Sequence, residues 1–213
     1  MCMTQVTCDL GISLDGISAG VNQSLDQPFG DGVGDGERIM HAWMFDNPDD
    51  HRAELDAITA AGAFVMGRNM FTPDRGDWDL SWRGWWGEDP PYHAPVFVLT
   101  HHARDPIEMQ GGTTFHFVTG GPQEALARAR EAAGDRDVSI AGGATTVNQF
   151  LAEDLIDELR LHVAPVVLDV EGVRLFQGVG THDLRTVSAR VTPEVTHLVL
   201  RREAGVTSGT LAP

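Results

Sequence analysis

Residues 137–168 read DVSIAGGATTVNQFLAEDLIDELRLHVAPVVL, and they decide how the rest of the chain is read. An apolar run, Val138 to Ala141, meets Gly142 and Gly143 and turns at once into a helical pattern that reaches about Asp154. A second apolar strand, residues 158–167, follows. Strand, glycines, helix, strand is the βαβ signature of a parallel sheet. In such sheets ligands lie beyond the carboxyl ends of the strands. A helix beginning there offers unpaired amides and a partial positive charge, and glycine lets an anion approach the backbone. Ala141, Gly142, Gly143 and Ala144 therefore read as a pyrophosphate cradle, with Thr145 or Thr146 as a hydroxyl donor. The bland alternative is a tight turn, because AGGAT is not the GxGxxG fingerprint.

Working outward, residues 5–14 alternate as a first strand. Residues 15–41, crowded with Gly, Asp and Asn, are expected to be a long loop, of the kind that is usually functional or disordered. Residues 47–62 read as a helix capped by Asn47, with Pro48 in its first turn and Gly62 at its end. Strands are expected at 63–67, 95–100 and 113–120, and a helix at 121–134 between Pro122 and Gly134. Residues 68–94 read as irregular. Residues 181–191 and 194–203 alternate as an antiparallel pair. These elements predict a three-layer α/β/α sandwich with a mostly parallel central sheet and a C-terminal antiparallel hairpin. A single domain is expected over residues 1–204, with a flexible tail at 205–213.

Composition narrows the function. The chain has 213 residues, 31 of them acidic against 15 basic, for a net charge of -16. That balance argues against nucleic acid or an anionic membrane as partner. It leaves room for a small anionic ligand, because screening over roughly 8 Å lets local groups dominate. Every basic residue is arginine; without lysine, Schiff-base chemistry and the P-loop are excluded. The two cysteines, Cys2 and Cys8, make neither a metal set nor a disulfide framework, and Cys8 reads as a small buried hydrophobe. No secretory start and no apolar run of about 18 residues is seen, so the expected location is cytoplasmic.

Two further strand ends echo the glycine pair. Gly67 is followed by Arg68, whose guanidinium can grip phosphate in a fork, and by Asn69. The strand at 95–100 runs into Thr100, His101, His102 and Arg104. Three such ends suit a dinucleotide.

Here the chain resembles the dihydrofolate reductase-like superfamily, in particular the branch holding the riboflavin-biosynthesis reductase, the C-terminal domain of RibD. The likeness rests on SLDG at 13–16, VMGRNMF at 65–71, PVFVLTHH at 95–102, the long stretch from Ser139 to Leu168, and GVRLF at 172–176. The resemblance implies an NADPH-dependent reductase, with NADH as the alternative, acting on a small heterocyclic or carbonyl compound and often homodimeric. It places Gly67, Arg68 and Asn69 at the cofactor phosphates, Thr100 and His101 at the 2′-phosphate, residues 142–145 at the pyrophosphate, and Leu14, Asp15 and Gly16 beside the nicotinamide. The zinc deaminase half of riboflavin enzymes needs a Pro-Cys-x-x-Cys set that is not in this sequence.

A reductase must also supply a proton. Asp15 and Asp50 are the candidate donors, with Asp49 and His51 beside the latter. Asn22 and Gln23 could read a polar ring, and Trp85 and Trp86, in WDLSWRGWW, could stack on one. Equally, the tryptophans could anchor a loop to the body or line a dimer interface. No metal is expected, since His93, His101 and His102 lack a companion carboxylate set. His116 and His162 read as polar-face strand residues. The competing class is a binding protein that keeps the fold without turnover.

Overall fold

The computed structural model describes residues 4–202. The expected tail at 205–213 and Cys2 lie outside the described residues. Among the described residues nine strands form one sheet in the order β10-β11-β8-β1-β7-β3-β4-β6-β5. They are β1 (Val6–Ile12), β3 (Ala63–Gly67), β4 (Pro95–Leu99), β5 (Ile107–Glu108), β6 (Thr114–Val118), β7 (Val138–Gly142), β8 (Glu158–Val163), β10 (Leu184–Val191) and β11 (Thr196–Arg202). Strands β8, β1, β7, β3, β4 and β6 run parallel, while β11 on β8, β10 on β11 and β5 on β6 are antiparallel. The expected mostly parallel sheet with a C-terminal hairpin is the observed one.

Burial explains why β3 reads as a solid apolar run. Ala63 and Val65 belong to the core under helices α4 (Gly121–Ala133) and α5 (Ala144–Ala152), together with Cys8. Phe64 and Met66 point the other way, into a second core. A parallel strand covered on both faces has no polar side to show. The second core is roofed by residues 69–94, where Trp78, Trp82 and Trp86 pack on Phe71, Phe115 and Tyr92. Trp78 Nε1 donates to the His102 carbonyl at 2.9 Å, and Trp82 Nε1 donates to that of Phe71 at 2.8 Å. The tryptophan-rich segment is thus an anchored third layer, completed on the β1 side by helices α1 (Asp35–Phe45) and α2 (Arg52–Thr59).

Those two helices correct the sequence reading. The stretch taken as one long loop contains a short strand, β2 (Ile17–Gly20), paired with β9 (Gly172–Arg174), and helix α1 (Asp35–Phe45). Gly36, Met40 and Trp43, at spacings of four and three, form the buried stripe of α1. The helix expected over 47–62 is shorter: α2 spans Arg52–Thr59. Asn47 does not cap it; its amide donates to Glu194 instead. His51 occupies the capping position at φ −117°, ψ 20°, because its ring is drawn under the sheet to His197, which holds the backbone out of helical geometry. His162, expected on a polar face, is buried on the same side.

The carboxyl ends of β3 and β7 meet at a close backbone approach. A Cβ on Gly67 would lie 2.2 Å from Thr146 Oγ1, in the first turn of α5. Gly67→Ala is expected to lower unfolding free energy by about 1–3 kcal/mol through overpacking, and adding Thr146→Ala should recover most of it. Urea unfolding of the two single variants and the double variant checks this; strictly additive losses would refute the contact as the cause.

Candidate active site

The glycine pair stands where the sequence placed it. Gly142 ends β7 at φ 116°, a conformation that favours glycine, and the Gly142–Gly143 peptide is cis. Gly143 is the residue before α5 and contributes no side-chain cap; its carbonyl accepts from the Val147 amide at 3.1 Å. A Cβ added to Gly143 would meet no atom of the described residues within 4 Å, so among them the backbone here borders open space. Ala144 is buried, Ala141 half-buried and Thr145 exposed, whereas Thr146 is turned inward against Gly67. The hydroxyl left open between Thr145 and Thr146 is therefore that of Thr145. An uncapped helix start at a strand's carboxyl end is an anion site in chemical terms.

The neighbouring strand ends carry the cations. Arg68 opens a one-turn helix, α3 (Arg68–Phe71), directly after β3, with the exposed Asn69 beside it. Its guanidinium carbon lies 3.9 Å from the centre of the Trp78 ring, within cation–π range. Its Nε is buried with no hydrogen-bond partner among the described residues. Burial, followed by the charge of Arg75, pulls its pKa below the usual arginine value. Arg104, after β4, also leans on Trp78 and donates to the carbonyls of Leu80 and Trp82. Thr100 is committed to a turn, since its Oγ1 accepts from the His102 amide at 3.1 Å, while His101 beside it is exposed. A cavity of about 590 Å³ opens between Leu80, Arg83, Arg104 and Asp105, on the flank of this cationic rim and not at the glycine corner.

At the end of β1, Leu14 is 61% exposed, an apolar side chain held at the surface by the bond from its amide to the Val166 carbonyl. Gly16 closes the turn to Ser13. Asp15 fixes this turn from the side. Its carboxylate accepts from Ser13 Oγ at 2.6 Å and from the amides of Leu168 and Asp169, and Arg174 stands 3.8 Å away. Burial pushes the carboxyl up, but these hydrogen bonds outweigh it and hold Asp15 down at about 2. An ionised, saturated carboxylate is a loop anchor with no proton to deliver at neutral pH. Asp49 and Asp50 are exposed, and the Asp50 carbonyl accepts from Arg190. Asn22 bonds Asp31 and Gln23 bonds the Pro28 carbonyl, so both knit their own loop. Trp86 packs on Phe115 and Tyr92, and Trp85 sits edge-on to Trp82.

One residue of this site escaped the sequence reading. His41, on α1, lies over the end of β1, its Nε2 4.0 Å from where a Cβ on Gly11 would stand. The ring leans on Phe29, at 4.6 Å between centroids. His41 Nδ1 donates to the Glu37 carbonyl at 2.9 Å, which leaves Nε2 free to take up and release a proton. Burial lowers its pKa below 6.5. The signal was the spacing of Met40 and Trp43, which makes 35–45 a helix and turns His41 toward the strand end.

A mostly parallel sheet with helices on both faces and a C-terminal antiparallel pair is a three-layer α/β/α fold of dihydrofolate reductase type. Comparison with known proteins agrees. The model of the RibD C-terminal domain matches residues 4–198, and the chain belongs to that family, a family of reductases. A protein from Shewanella sp. PV-4, assigned to riboflavin biosynthesis, superposes with a TM-score of 0.65 at 24% identity, covering 94% of this chain and 99% of that one. RibD of Acinetobacter baumannii superposes with a TM-score of 0.56 at 16% identity. The match covers 94% of this chain and 58% of that RibD chain. The uncharacterized protein YwjB of Bacillus subtilis (strain 168) is 43% identical over 60 residues, 28% of this chain and 33% of that protein. Among the described residues, no helix is long and apolar enough to cross a membrane.

Proposed function

We propose that this chain is an NADPH-dependent reductase of a small heterocyclic or carbonyl compound of pterin or pyrimidine type, working in the cytoplasm as a homodimer. The observation that carries this reading is the open space in front of Gly143, at the bare amides that start α5. The residues fit a dinucleotide. Gly142, Gly143, Ala144 and Thr145 hold the pyrophosphate, with Ala141 leading the strand in. Arg68 and Asn69 meet the flanking phosphate, and Thr100 and His101 face the 2′-phosphate that separates NADPH from NADH. Leu14 and Gly16 border the nicotinamide, which supplies the hydride when bound.

The protein's own contribution is orientation and one proton. Asp15, kept ionised, pins the turn that carries Leu14 and Gly16. His41 takes the role of proton donor: Nδ1 is fixed by the Glu37 carbonyl, and a proton gained at Nε2 points toward the β1 end. The reading of a binding protein without turnover gains support from the state of Asp15 and the exposure of Asp50; His41 separates the two. For the dimer, β10 offers an edge strand with Val187 45% and Val191 74% exposed.

Three measurements test this. Nicotinamide fluorescence on titration with NADPH should show saturable binding, and Gly143→Val should weaken it at least about tenfold, roughly 1.4 kcal/mol; an unchanged affinity would place the cofactor elsewhere. In steady-state NADPH oxidation, a His41 acid with a lowered pKa is neutral at pH 7 and charged only below it. The rate should therefore rise toward acid with an inflection below 6.5, and His41→Gln should flatten that limb while leaving NADPH affinity intact. Light scattering should give twice the chain mass, reduced to one chain by Val191→Asp; a wild-type monomer would rule the dimer out.

A further inference from the structure

On the face of the sheet away from α4 and α5, under α1, lies a polar cluster that the reductase reading does not use. His51 from the start of α2, His162 from β8 and His197 from β11 are all buried, and Trp43 touches all three rings. His197 is the middle member. Its Nε2 lies 2.9 Å from His51 Nδ1, and its Nδ1 lies 2.7 Å from His162 Nδ1. His162 Nε2 faces Asp9 Oδ1 at 3.6 Å, and both of these atoms are buried with no hydrogen-bond partner among the described residues. At the other end, Arg190 Nη2 stands 2.9 Å from His51 Nδ1 and 3.0 Å from Glu54 Oε2.

The ring protons can be counted. Arg190 only donates, so His51 Nδ1 presents its lone pair. If His197 carries its proton on Nε2, then His162 must donate from Nδ1. His162 Nε2 is then a bare lone pair facing the Asp9 carboxylate, two buried acceptors in opposition. If His162 carries its proton on Nε2 instead, Asp9 is satisfied, and His197 donates from Nδ1 to His162. That arrangement leaves two lone pairs, on His51 Nδ1 and His197 Nε2, converging beside the Glu54 carboxylate. With three neutral rings, Arg190 donates to the His51 lone pair and the His197 Nε2 lone pair opposite it is left without a proton.

The geometry points to a site for one divalent transition-metal ion of zinc type, bound by His51, His197 and Glu54. One donor atom from each lies within 4.8 Å of the others. Two imidazoles and a carboxylate are a zinc-type donor set, which leaves a fourth position for water. The chain from His197 through His162 to Asp9 is the outer hydrogen-bonded support that fixes a ligating imidazole's tautomer. Arg190 holds the cation position in the metal-free geometry; it comes from the edge strand β10 with 43% of its side chain exposed and can turn to solvent. The bound ion joins α2 to the C-terminal hairpin. The sequence reading expected no metal because it weighed His93, His101 and His102; these ligands come from other elements.

The test is titration of the untagged full chain with Co(II) and Zn(II), followed by visible absorption and by metal content after gel filtration. The expected result is one ion per chain and the intense visible bands of four-coordinate Co(II). Glu54→Gln and His197→Gln should lose the bands, Asp9→Asn should weaken binding about 10–100-fold, and Arg190→Met should tighten it. Circular dichroism establishes that each variant is folded; Glu54→Gln, a same-size change in the first turn of α2, keeps the test open if a more buried variant is not. No stoichiometric binding overturns the proposal. So does binding that survives Glu54→Gln, or that Arg190→Met leaves unchanged.

Discussion

The constraint on which the architecture depends is the approach of β3 to the β7–α5 corner. Gly67 has no Cβ, so Thr146 of α5 can sit against the end of its strand. That contact brings the carboxyl end of β3 beside the start of α5. Arg68, one residue past Gly67, and the bare amides after Gly143 then share one edge of the sheet. The same corner needs β3 to be apolar on both faces, and its two cores are what the AFVM run supplies. The start of α5 is held at this strand end by packing and not by a side-chain cap.

The face turned toward α1 and α2 follows a different logic. Where β3 is greasy on both sides, β1, β8 and β11 place Asp9, Glu158, His162 and His197 on one side. Glu158 is held between Arg160 at 2.7 Å and Arg201 at 2.7 Å, so buried charge is paired there. The histidine cluster is the part of this face where pairing does not close among the protein's own groups. A buried polar group without a partner costs about 1–3 kcal/mol. The opposed Asp9 and His162 atoms therefore set apart a site that burial alone would have made look like ordinary core.

Much of the site was legible. Glycine or arginine directly after an apolar strand marks Gly142, Gly143, Gly67 and Arg68 in the sequence, and the sheet order brings these four strand-end residues together. The helices near the N-terminus were less legible. Residues 15–41 carry so many turn formers that the short stripe of Gly36, Met40 and Trp43 was lost among them, and with it the position of His41. The cap expected at Asn47 failed because a long-range contact, His51 to His197, overrode a local preference. Asp15 looked like an acid in the sequence; Ser13 and the amides of Leu168 and Asp169, the latter more than 150 residues away along the chain, make it a fixed anion.

The sequence by itself determined the class of molecule. Periodicity and glycine positions are local properties, and they were enough for a mostly parallel α/β sheet with a helix that starts from paired glycines at a strand's carboxyl end. Tertiary structure decided which side chains are free. Thr145 rather than Thr146 faces the open corner, the tryptophans are spent on packing, and His51, His162 and His197 meet although 146 residues separate the first from the last. No local pattern carries that information, because a contact between distant strands is fixed by how the whole sheet is ordered and not by the residues on either side of it.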